Sequence, residues 1–180
     1  LHLCDRRQRQ MCIRDRSLFL SSGIRFPSRV WYEDLRTTVK LFVLAKSIVT
    51  LPDPLYHYLQ RPGSIMRSGN VARNREILDA FDDLLSWFQR QGLLKQYHAI
   101  LCCLCIDHVY LAASVRVLTE APRHPLLGEF QRYLEHHFPD YRSNLYLAHL
   151  SRSRKLVFRL LEGRHYRLLR FLFRTKGRLA

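Results

Sequence analysis

KQYHAILCCLCIDHVYLAASVRVLT, residues 95–119, is apolar on nearly every side, and Lys95, Asp107 and Arg116 are its ionised side chains. An amphipathic surface helix keeps one polar face; a stretch without one reads as a buried central helix. Such a helix needs others around it, and the flanks supply their patterns. Upstream, Ile77, Phe81, Leu84, Leu85 and Phe88 line one helical face, Asp79, Asp82 and Asp83 lie elsewhere, and Gly92 ends the helix. Downstream, Pro122 and Pro125 open a helix that runs to His137, and Pro139 closes it. Residues 143–162 and 164–176 read as two basic helices split at Gly163. Residues 71–180 are therefore expected to form an all-helical extension. No uncharged apolar run reaches 18 residues, so no transmembrane helix is expected.

The chain has 180 residues, 47% of them apolar and 25% charged, enough for a sizeable core and too little biased for wholesale disorder. Its net charge of +15 is large for this length. Residues 1–16 carry five Arg and two Asp, and residues 17–150 are close to balanced. Residues 151–180 hold ten basic side chains against Glu162 alone. The excess is thus a property of the ends.

Residues 1–16 show neither helical nor strand periodicity and no secretory signal pattern. MCIRDR, residues 11–16, closely resembles a translated sequencing-library transposon end. Residues 1–16 are accordingly expected to be disordered and foreign to the domain, with authentic sequence starting near Ser17. Setting Cys4 and Cys12 aside leaves Cys102, Cys103 and Cys105. Three thiols within four helical positions point in different directions and cannot converge on zinc, so they read as reduced core residues.

Between these regions, Leu35, Val39, Phe42, Val43 and Leu44 recur near a 3.6 period and predict a helix over 31–46. The β-branched run 47–51 and the run 55–59 read as short strands around the turn Pro52-Asp53-Pro54. Two strands do not make a stable sheet, so further strands are expected upstream.

The order GIRFP (23–27), YEDL (32–35) and YHYLQRPGSI (56–65) resembles the end of the GT-A catalytic domain in bacterial family 2 glycosyltransferases. The resemblance covers about residues 20–66. It implies a mostly α chain: a C-terminal remnant of an α/β GT-A domain over 17–70, then the helical extension. It further implies an inverting transfer of sugar from a nucleotide-sugar donor to a cell-envelope or exopolysaccharide acceptor, saccharide or lipid-linked. Such a transfer needs a carboxylate to take the acceptor proton. The resemblance gives that role to Asp34, at a helix start whose dipole stabilises negative charge, with Glu33 as its neighbour. Arg61 and the Ser64 hydroxyl would face the departing diphosphate, and Tyr58 would contact sugar. Tyr56 and His57 read as structural. The family's divalent metal, Mg or Mn, is held by an Asp-x-Asp motif, and no two aspartates here stand two positions apart. The 180 residues are therefore expected to be inactive by themselves.

In the tail, apolar residues 156, 157, 160 and 161, then 168, 169, 172 and 173, sit at helical spacing among arginines. This is the pattern of a helix at an anionic lipid surface. The same pattern also fits a solvated basic face whose stripe packs on the domain. No nucleic-acid-binding module is recognisable. Two functional expectations follow: the glycosyltransferase fragment, peripheral at the inner face of the bacterial plasma membrane, and a non-enzymatic basic helical module binding membrane or an acidic partner.

Overall fold

The computed structural model describes residues 16–49 and 70–176, the last three without their side chains. The chain is mostly α, and among the described residues there is no strand. It divides into two units, Leu1–Gly69 and Asn70–Ala180.

In the first unit, α1 (Arg16–Ser22) and α2 (Glu33–Leu44) pack together. The expected apolar face of α2 is realised in part: Leu35 and Leu41 are buried, while Phe42 and Leu44 are exposed and Thr37 and Lys40 lie inside. Four consecutive apolar residues, 41–44, circle a full helical turn, so one face cannot hold them all. Ser47, Ile48 and Val49 form no strand, and both apolar side chains are exposed. A β-branched run becomes a strand only beside a pairing neighbour, and none occurs among the described residues. Residues 50–51, the second expected strand (55–59) and residues 1–15 lie outside the described residues.

The second unit is built around α4 (Leu94–Glu120), which runs as α-helix to Leu104, π-helix over Cys105–Ala113 and α-helix again from Ser114. Leu111 aside, its buried side chains come in adjacent pairs four residues apart: 101/102, 105/106, 109/110, 113/114 and 117/118. At 3.6 residues per turn, each four-residue step would rotate the buried seam by about 40°. The wider π winding has more residues per turn and rotates it the other way. The π segment thereby keeps the pairs aligned along the core.

Around α4 pack α3 (Glu76–Arg90), α5 (Leu126–His137), α6 (Arg152–Glu162) and α7 (Tyr166–Lys176). Gly92, at φ 70°, takes the left-handed conformation that turns the chain from α3 into α4. Pro125 begins α5, where a missing N–H costs nothing. Phe81 of α3 meets Tyr133 and Phe138 edge-on, at 6.3 and 6.4 Å between ring centres. Phe158 of α6 meets Tyr110 and Tyr141 in the same way.

The tail differs from its expected single helix over 143–162. Residues 141–143 and 145–149 are 3-10 turns, and α6 starts at Arg152. The Asn144 side chain accepts from the Tyr146 N–H and donates to the Ala99 carbonyl, and Ser151 accepts from the Arg154 N–H. These polar side chains satisfy the backbone locally and restart the helix.

By length and composition, α4 could cross a membrane, but 56% of its most apolar window is buried inside the protein. Asp107, in its middle, takes a two-oxygen ion pair with Arg154 at 2.9 and 3.0 Å. With four helices packed on it, α4 is the core helix of this unit.

The Tyr110 hydroxyl and the Ser114 hydroxyl are buried on α4 without a hydrogen-bond partner among the described residues. A buried hydroxyl with no partner loses its hydration for nothing in return. Tyr110→Phe is therefore expected to stabilise the chain by about 1–2 kcal/mol, whereas Phe81→Ala should cost about 3–5 kcal/mol. Urea denaturation of the variants checks both signs.

Candidate functional site

The first unit presents the expected carboxylates at the start of α2. The approach to them is conformationally costly: Gly23, Arg29 and Tyr32 all adopt positive φ, at 66°, 61° and 62°. Gly23 does so freely, and its N–H closes α1 by donating to the Phe19 carbonyl. Arg29 and Tyr32 carry a Cβ that clashes in this region, a strain held by surrounding structure. Phe26 folds back on Phe19 at 5.9 Å, and the Trp31 and Tyr32 rings meet edge-on at 6.4 Å. The Tyr32 carbonyl accepts the Arg36 N–H and so launches the helix. Glu33 and Asp34 then occupy its first turn, both exposed, and neither carboxylate is held by a hydrogen bond among the described residues. Tyr58, Arg61 and Ser64 lie outside the described residues, so the expected site is visible here through Glu33 and Asp34 alone.

Among the described residues, no grouping of His, Cys, Asp and Glu fits a metal ion. Cys102 and Cys105 are buried and Cys103 is partly so; all three are free thiols. Burial pushes the Cys102 thiol up to about 11 against the counteracting Asn144 hydrogen bond, and raises Cys103 and Cys105 as well. A thiol held protonated is a poor nucleophile and a poor metal ligand.

Two polar constellations in the second unit were not singled out from the sequence. In one, Tyr133 donates to Asp82 across α5 and α3, and His137 Nε2 lies 3.7 Å from the same carboxylate oxygen. The rings of Tyr133 and His136 pack on His137 at 4.3 and 4.9 Å. Burial raises the Tyr133 hydroxyl, and its bond to Asp82 raises it further, so this group clamps two helices rather than releasing a proton. In the other, Glu162 accepts from both Tyr141 Oη and Arg142 Nε, at 2.9 and 3.0 Å. The arginine also lies over the Tyr141 ring. The sequence signal for this second group was Glu162, the lone acid of a basic tail.

On α6 and α7, Phe158, Leu161 and Leu169 are buried, whereas Leu156, Leu168, Phe171 and Leu172 are exposed. The expected stripe is thus divided: part of it packs on the domain, and the 168/171/172 face of α7 meets solvent beside Arg167.

No family model, no curated protein and no solved structure matches this chain.

His137 supplies a pH test. Burial lowers its pKa from 6.5 by more than Asp82 raises it, and His136 lowers it further. The fold therefore favours neutral imidazole, and stability should fall as the pH drops below 6.5 and the unfolded chain takes up the proton more readily. His137→Gln is expected to flatten the melting-temperature profile between about pH 7 and pH 5. Thermal denaturation across that range measures it.

Proposed function

We propose that residues 17–70 are the acceptor-side end of an inverting family 2 glycosyltransferase domain. The observation that supports this best is the pair Glu33–Asp34: exposed, uncommitted carboxylates on the first turn of α2, behind a loop held in strained conformation. In this reading Asp34 removes the acceptor hydroxyl proton while the oxygen bonds to the anomeric carbon. The bond from that carbon to the nucleotide diphosphate breaks on the opposite side, giving inversion. Glu33 orients the acceptor. Arg61 and Ser64 face the diphosphate and Tyr58 contacts sugar, roles that rest on the motif resemblance. Mg or Mn would be held by the family's Asp-x-Asp pair, which these residues lack.

The donor is a nucleotide sugar, and the acceptor a saccharide or lipid-linked intermediate of the cell envelope or an exopolysaccharide. The protein would work as a peripheral component at the inner face of the bacterial plasma membrane. A second reading, a non-enzymatic module on an anionic membrane, is favoured by the exposed Leu168, Phe171 and Leu172 on a chain segment rich in arginine.

Three measurements bear on these readings. In a longer chain that carries the Asp-x-Asp pair, Asp34→Asn should lower kcat by at least about 10²-fold with donor KM little changed; full activity in that variant would refute the role of Asp34. The 180-residue chain alone should neither hydrolyse nor transfer from sugar nucleotides. Membrane attachment is read separately: the chain should float with anionic vesicles and not with neutral ones, and Leu168→Ser/Phe171→Ser should abolish flotation.

A further inference from the structure

Where the 145–149 turn meets α6, a groove of about 410 Å³ opens to solvent. Its polar lining is unbalanced: Arg142, Lys155 and Arg159 stand against Glu162. The single acid is already engaged, since it accepts from Tyr141 and Arg142. That pairing also holds the Arg142 guanidinium in place, with the Tyr141 ring 4.7 Å beneath it. Lys155 is fixed by donating to the Ala148 carbonyl at 2.7 Å, which leaves two of its N–H groups to aim elsewhere. Arg159 is exposed and has no ion-pair partner among the described residues. The rest of the lining is apolar, with Leu147, Leu150 and Phe158. Cations over an apolar floor, Arg142 and Lys155 held in place and Arg159 uncommitted among the described residues, suit a ligand that has an anionic head and a greasy body.

We propose that this groove binds the phosphate group of an amphiphile, with Lys155 and Arg159 on the phosphate oxygens and Leu147 and Leu150 against its apolar part. A free phosphate ion has the same charge chemistry but nothing to place on the apolar floor. The proposal goes beyond sugar transfer and does not depend on Asp34. It is also separate from the α7 face, because Leu168 and Phe171 do not line the groove.

The test is an NMR titration of the whole chain with dihexanoyl phosphatidic acid, inorganic phosphate and dihexanoyl phosphatidylcholine, each below its micelle concentration. Phosphatidic acid should shift the methyl signals of Leu147 and Leu150 saturably, and bind at least about tenfold more tightly than inorganic phosphate. Phosphatidylcholine should bind weakly, because its choline cancels the headgroup charge. Lys155→Ala/Arg159→Ala should weaken phosphatidic acid binding by at least about tenfold with an unchanged melting temperature. If that pair unfolds the chain, Arg159→Glu at its exposed position should weaken binding in the same way. Equal affinity for inorganic phosphate overturns the amphiphile assignment. Unshifted leucines, or full binding by folded variants, overturn the site.

Discussion

The four-residue spacing of buried pairs along α4 is the constraint on which the second unit depends. An ordinary α-helix would carry that seam through about 160° between the pairs at 101/102 and 117/118. Helices packed against its start would then lose contact with its end. The π winding of 105–113 cancels much of the rotation, so α3, α5, α6 and α7 all find apolar partners on one helix. The π-helical hydrogen bonds are poorer than α-helical ones, and burial of Ile106, Val109, Tyr110, Leu111 and Ala113 offsets the loss.

The same packing decides what the polar residues of α4 and its neighbours can do. Asp107 sits in the most apolar stretch of the chain, yet it is paired with Arg154, so α6 is tied to the core by charge as well as by Phe158. A half-buried pair of this kind contributes more to the choice of partner helix than to net stability, since partial desolvation of both ions opposes their attraction. The thiols of Cys102 and Cys105 are buried by the same seam, which keeps them protonated. The tail's positive charge is divided likewise. Arg154 is paired with Asp107, and the tail's Glu162 is taken by Arg142 from outside it, while Arg159 and Arg167 are left facing solvent.

Much of the helical order was legible from local chemistry. Gly92 and Pro125 end or begin helices where their backbone preferences demand it, Gly163 caps α6 at an ordinary φ of −75°, and the 95–119 run is the core helix its composition indicates. The four-residue seam is also written in the sequence, but its period departs from the 3.6 residues of an ordinary α-helix. Of the helix expected over 143–162 only 152–162 was realised, because Asn144 and Ser151 bond to the backbone ahead of it, and apolar spacing carries no information about such competition. Glu33 and Asp34 could be placed at a helix start from the sequence, since acidic residues favour that position. The left-handed Tyr32 before them could not, because an aromatic residue has no preference for that conformation.

Sequence alone determined the helical class of residues 71–180, the concentration of charge in the tail and the carboxylate pair at the head of α2. These depend on composition, periodicity and near-neighbour bonding, all of which act within a few residues. Tertiary structure alone decided which apolar residues of α2, α6 and α7 face inward. It also brought Asp82 to His137, Asp107 to Arg154, and Arg142, Lys155 and Arg159 to one groove. An amphipathic pattern says that a helix has a face to bury; which neighbours cover it, and which charges meet across the gap, depends on contacts between residues tens of positions apart.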